Sequence, residues 1–275
     1  MKKLISIALL TSLLVLFVAC ANNDIELPSW QEGEIFTLRV GATPRPHAEI
    51  LTYIAPYLLA DGVEIEVVVF DTFPTVNPAL ADGTIGANYF QHIPFLEASP
   101  YSNRLSMIGL VHVEPMGAYS SSINSIEDLP QGAVIAIPND AVNHGRALLL
   151  LQAHGLLVVD SAAGIRASYT SDILENPLGL EFVALDAALL PRALDDPSID
   201  MAIINTNHVL SGTDLNPMQD SLIMETPESP FANGLTSRTV DREHRAIEIL
   251  LYHLQSERVR QFIYAQYDGA VVPVF

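Results

Sequence analysis

The run from Phe36 to Phe70 restricts most strongly what this chain can become. Phe36-Thr-Leu-Arg-Val-Gly41 reads as a short strand. Thr43-Pro44-Arg45-Pro46-His47-Ala48-Glu49 reads as a turn into a helix that continues to about Ala60, and Val63 to Phe70, rich in β-branched residues, reads as a second strand. Strands joined through a helix lie parallel in one sheet with the helix crossing its face, which commits the chain to an α/β architecture. The alternation continues. Residues 78–82 fit a short helix, 85–88 a short strand, and 94–99 a helix with proline at its first position. Residues 104–113 are strand-like, and Ser125-Ile-Glu-Asp128 is a capped helical turn. Residues 134–137 form a buried type of strand, after which Asn139-Asp140 can cap an apolar helix to about His154. Residues 201–204 are a further strand, and the chain looks helical from Asp241 to about Tyr267. The pattern predicts two successive α/β units joined near residues 120–124. Such units trap ligands in the crevice beyond the carboxyl ends of their strands.

The start of the chain has a different logic. Lys2 and Lys3 precede an unbroken apolar or small-residue run from Leu4 to Ala19, and then comes Cys20, the only cysteine. A positive start, an apolar middle and a small residue before the cut describe a secretory signal peptide. The run is short for a spanning helix of roughly 20 residues. Phe17-Val18-Ala19-Cys20 resembles the bacterial lipobox, so residues 1–19 are expected to be removed and Cys20 to carry lipid. Residues 20–35, with Pro28, Gly33 and several acids but no clear period, read as a lipidated tether. Loss of Lys2 and Lys3 removes every lysine and takes the formal charge from −19 to −21. That balance argues against nucleic-acid binding, which needs a basic footprint, and against an amphipathic basic helix on anionic lipid. A hydrophobic content of 49% is too high for disorder.

Four polar segments follow strands or open helices. Asn88-Tyr89-Phe90-Gln91-His92, placed directly after a strand, can wall an apolar pocket with a polar tip or be a core patch with a satisfied histidine. Asn139 to Arg146 opens a helix, and Arg146 stands alone before Ala-Leu-Leu-Leu-Leu. Its guanidinium fork suits a ligand carboxylate, or an internal Asp or Glu from the 32 acids available. Asn205-Thr206-Asn207 and Ser229-Pro230-Phe231-Ala232-Asn233 offer amide acceptors for an ammonium group, or plain turn chemistry. His92, His112 and Glu114 are metal-ligating types, but their spacing matches no local metal motif. The Gly-x-Ser-x-Gly, His-Glu-x-x-His and Gly-x-x-x-x-Gly-Lys motifs are absent. No enzyme, cofactor or metal is expected.

The runs Gly41-Ala-Thr-Pro44, Pro46-His-Ala-Glu49, Ala79-Leu-Ala-Asp-Gly83, Ala87-Asn-Tyr-Phe-Gln-His92 and His112-Val-Glu-Pro-Met-Gly117 occur in this order. They are followed by Ala136-Ile-Pro-Asn-Asp140, Gly145-Arg-Ala-Leu-Leu-Leu-Leu-Gln152, Leu190-Pro-Arg-Ala-Leu-Asp-Asp196 and Ile204-Asn205. Together they resemble the methionine-binding lipoproteins of bacterial methionine ABC importers, the NlpA lipoprotein family, from about residue 37 to the C-terminus. The resemblance implies a periplasmic-binding-protein-like α/β fold of two lobes around a ligand cleft. One lobe is expected from 36–122 with 235–275, the other from 123–234. It implies that Arg146 holds an amino acid's α-carboxylate, that Asn205 and Asn233 hold its α-amino and carboxylate groups, and that Phe73, Phe90 and His92 enclose a thioether side chain. It also implies a monomer, lipid-anchored to the extracytoplasmic face of a membrane, passing L-methionine to an ABC permease and its ATPase; related ligands are D-methionine, another amino acid or a methionine-containing dipeptide. Phe73 stands where the family often has Tyr, Arg45 where a small residue is usual, and Leu189 where a polar one is frequent.

Overall fold

The computed structural model describes residues 25–31, 33–226 and 230–275. The expected signal peptide and Cys20 lie outside the described residues. Two main sheets organise the chain. The first runs, in spatial order, Val272–Pro273, Leu105–Val113, Ala232–Arg238, Ala87–His92, Phe36–Ala42, Val63–Val69. The second runs Ile223–Met224, Gly117–Tyr119, Met201–Ile204, Val134–Pro138, Glu181–Leu185. The helix Glu49–Ala60 makes the expected parallel crossover between Phe36–Ala42 and Val63–Val69. The sheets are nevertheless mixed, because Ala232–Arg238 enters antiparallel between two earlier strands.

Several expected boundaries shift. The chain passes between sheets at Glu114–Met116, not near residue 123, so Gly117–Tyr119 pairs with Met201–Ile204 in the second sheet. It returns between Met224 and Ala232, which puts Asn233 in the first sheet rather than the second. Asn88 to His92 do not follow a strand; Ala87–His92 is the strand, buried throughout. Its polar residues are tolerated because they satisfy one another: Asn77 Nδ2 donates to Gln91 Oε1 (2.8 Å), and Gln91 Nε2 and Asn88 Nδ2 both donate to Asn77 Oδ1. Pro94 occupies the second position of Ile93–Ala98, behind Ile93. The helical C-terminal stretch is two helices, Arg245–Leu254 and Glu257–Tyr267, with Ser256 accepting from Val259 N–H at the break. The described part of the expected tether is packed on the body. Leu27 joins the first core and its N–H donates to Asp241 Oδ1 (2.7 Å), while Trp30 stacks near Phe36 and under Arg245. Its apolar side chains gain more from that burial than from extension in water.

One core fills each sheet's outer side, and a third, including Phe73, Phe90, Tyr119, Ile204 and Val209, spans the two. The helix Ala141–Ala153 packs close to the short turn Gly164–Arg166 because residue 145 is glycine. A Cβ there would stand 2.2 Å from the Ile165 carbonyl oxygen. Gly145→Ala should therefore destabilise the fold by roughly 2–3 kcal/mol, read as a melting temperature lowered by several degrees. An unchanged melting curve would contradict that close approach. Among the described residues, no helix is long and apolar enough to cross a membrane.

Candidate ligand-binding site

The expected crevice lies between the sheets. Its empty space is about 340 Å³ and its walls are Phe73, Phe90, Gln91, His92, Phe95, Glu114, Asn143, Arg146, Asn205, Asn207 and Asn233. All six residues expected to meet a ligand (Phe73, Phe90, His92, Arg146, Asn205 and Asn233) line this one cleft. His92 ends a strand of the first sheet, and Asn143 and Asn205 follow strands of the second. Asn233 stands opposite His92 on one side and His112 on the other, and the register shifts after it, at Gly234/Leu235 against Ala87–His92 and at Asn233/Gly234 against Leu105–Val113.

Of the two alternatives left by the sequence for Arg146, the structure contains the internal acid. Arg146 Nε donates to Glu225 Oε1 (2.7 Å) and its Nη2 to Glu225 Oε2 (2.6 Å). Nη2 also donates to the Glu114 carbonyl (2.8 Å), and the guanidinium lies 4.3 Å from the Phe231 ring centre. Glu114 belongs to the forward crossing between the sheets, and Glu225 and Phe231 to the return. Glu225 also accepts from Met116 N–H (2.9 Å), tying the two crossings to each other. Nη1 has no hydrogen bond to the described residues and remains for the cleft that Arg146 lines.

A relay of amides sets the polarity of the opposite wall. Asp140 caps the helix Ala141–Ala153, accepting from Asn143 N–H and Asn143 Nδ2 (2.9 Å each). Asn143 must then turn its Oδ1 outward, where it accepts from Asn205 Nδ2 (3.0 Å). Asn205 Oδ1 is left as a buried acceptor without a partner among the described residues, and Asn207 Nδ2 is a buried donor in the same condition. Such atoms are costly unless something fills the cleft. His92 Nδ1 accepts from Phe95 N–H (3.1 Å), which fixes its proton on Nε2. Burial and the neighbouring Arg146 hold this ring neutral, its pKa down to about 3. Phe73 packs 6.0 Å from Phe90 and 5.8 Å from Phe95, with His208 4.8 Å away across the cleft.

The sequence pointed to the segments holding Gln91, Asn143 and Asn207 without singling these residues out, and passed over Phe95. Phe95 sits three residues past His92 on the helix that His92 caps; Asn143 sits three past its capping Asp140. Those spacings were the available signal. The metal-type grouping also changes membership. His112 and Glu114 do meet, but their third partner is His47, while His92 faces the helix that it caps. Of the departures from the family pattern, Arg45 bridges outward, pairing with Glu49 (2.9 Å) and donating to the Leu210 carbonyl (3.0 Å), and Leu189 is exposed.

A cleft between two α/β lobes, lined by unfilled polar atoms on one wall and aromatic rings on another, defines a substrate-binding protein of the periplasmic type. Comparison with known proteins gives the particular lineage. The NlpA lipoprotein family model matches residues 38–275. Methionine-binding lipoprotein MetQ of Bacillus subtilis is 37% identical over 278 residues, covering 100% of this chain and 99% of that protein. D-methionine-binding lipoprotein MetQ of Escherichia coli is 35% identical over 213 residues, 77% of this chain and 78% of that one. A crystallised nutrient-binding protein from Burkholderia cenocepacia, bound to methionine, superposes with a TM-score of 0.82 at 36% identity, covering 86% of this chain and 100% of that chain. The chain belongs to the NlpA lipoprotein family.

Proposed function

We propose that the protein captures L-methionine outside the cytoplasm and delivers it to an ABC permease served by an ATPase, while lipid on Cys20 keeps it at the membrane as a monomer. The observation that carries this reading is the pairing of unfilled polar atoms in one cleft. Arg146 Nη1 and Asn207 Nδ2 are donors suited to a carboxylate, and Asn205 Oδ1 is an acceptor suited to an ammonium group. Asn233 completes the polar rim, and Phe73, Phe90, Phe95 and His92 form a sleeve for a polarizable thioether, which favours aromatic surroundings. The named relatives supply the same ligand from outside this chain: methionine is bound in the Burkholderia structure, and methionine binding is in the names of the MetQ relatives. The Escherichia coli relative is named for D-methionine, so the stereoisomer is part of the proposal.

A methionine-containing dipeptide is the second reading. It is favoured by an adjoining groove of about 420 Å³, lined by Pro74, Pro78, Ala98 and Tyr101, that shares Phe73 and Phe95 with the cleft. One experiment separates the readings: denature the purified protein and identify released small molecules by chiral chromatography and mass spectrometry. L-methionine is expected. A dipeptide would favour the second reading, and a ligand without a carboxylate would overturn both.

A further inference from the structure

We propose that Glu114 is the anionic end of this site and receives the ligand's ammonium group, making a free amine a condition of binding. The proposal rests on the amino-acid reading above and assigns that reading a residue it had not used. Glu114 directly follows the strand Leu105–Val113, is 5% exposed and lines the cleft beside Arg146, Asn205 and Asn233. A carboxylate removed from water needs a compensating cation. The nearby candidates do not match it fully: burial shifts the Glu114 carboxyl upward, and Arg146 opposes that only in part. Arg146 is matched by the bidentate Glu225. His47 and His112 both approach Glu114, but burial holds each neutral, with its pKa down to about 3.

His112 instead positions the carboxylate, with His47 packed beside it. His112 Nε2 lies 2.8 Å and His47 Nε2 3.1 Å from the same oxygen, Oε1. Each ring is anchored on its far side by a hydroxyl, His112 Nδ1 by Tyr89 (2.5 Å) and His47 Nδ1 by Thr43 (2.7 Å). For His112, a hydroxyl behind Nδ1 and the carboxylate before Nε2 orient a neutral imidazole as an Nε2–H donor to Oε1, whereas His47 Nε2 makes no hydrogen bond and only packs against the same oxygen. With Oε1 held by His112, Oε2 is engaged by neither ring; the Asn207 backbone N–H also favours the carboxylate, which lines the cleft. An ammonium group has three N–H donors and no acceptor; Glu114 Oε2 and Asn205 Oδ1 would take two of them while the carboxylate meets Arg146. His112 is a positioning residue in this scheme, and Glu114 touches the ligand.

The test compares L-methionine with desamino-methionine, in which hydrogen replaces the ammonium group, so steric exclusion plays no part. Calorimetry on the wild type should show methionine binding on the order of a hundredfold more tightly. Glu114→Gln keeps an oxygen for His112 and removes the charge. It should lose about tenfold or more for methionine while leaving desamino-methionine within about twofold. Equal losses for both ligands, or none for methionine, would overturn the assignment. Near-equal affinities in the wild type would overturn it without any variant, so a Glu114→Gln protein that fails to fold does not rescue it. Wild-type protein that binds neither methionine nor any other free amino acid or dipeptide would overturn the amino-acid reading itself, an outcome visible before any variant is made.

Discussion

Arg146→Ala should weaken methionine binding by about 3–5 kcal/mol, two to three decades or more of affinity. The substitution removes the donor facing the ligand carboxylate and also strips Glu225 of a bidentate partner, leaving an acid only 13% exposed without its cation. The second loss falls on stability, so melting temperature has to be recorded beside calorimetric affinity. Arg146→Lys separates the two effects. It keeps the positive charge near Glu225 but has no planar fork, so it should fold and still lose at least about tenfold in affinity. A folded alanine variant that binds methionine as the wild type does would remove Arg146 from the site.

The second large effect is acid destabilisation of the unliganded protein. Burial holds His47, His92 and His112 at a pKa of about 3 and His208 at about 4, against about 6.5 for an exposed imidazole. Between those limits the unfolded chain binds more protons than the folded one, so stability is full above about pH 6.5 and falls as the pH drops. Each histidine contributes up to about 1.4 kcal/mol per pH unit inside the window. Glu114 is shifted upward by burial and has the opposite sign, offsetting part of the loss at the acid end. Between pH 7 and pH 5 the melting temperature should fall on the order of 10 °C. A flat profile over that range would mean that these imidazoles are not held neutral in the folded state.

Arg146 shows what the sequence made legible and where it stopped. A lone arginine opening an apolar helix was conspicuous because apolar neighbours offer it nothing, so a fixed anion was required nearby. Which anion was not legible, since Glu225 is 79 residues away and meets it only after the second sheet has closed. The strand Ala87–His92 was misplaced for a related reason. Asn88 and Gln91 look like turn residues until Asn77 supplies their hydrogen bonds from another element. The exchange between sheets at Glu114–Met116 was hidden because Gly117–Tyr119 is too short to carry a period, and its membership comes only from pairing with Met201–Ile204. The clearest local signals, the Phe36–Ala42 and Val63–Val69 crossover and the Asp140 cap, depend on neighbours in sequence and are found where expected.

The convergence on Arg146 of both passages between the sheets has a mechanical consequence. A hinge of two strands can usually flex with each strand moving by itself. Here one guanidinium grips the carbonyl of the outgoing strand and the carboxylate of the incoming one. Any swing that shears one strand past the other must stretch that grip or carry it along as a rigid pin. The pin sits in the wall of the cleft, so whatever occupies the cleft would press on the side chain that links both crossings.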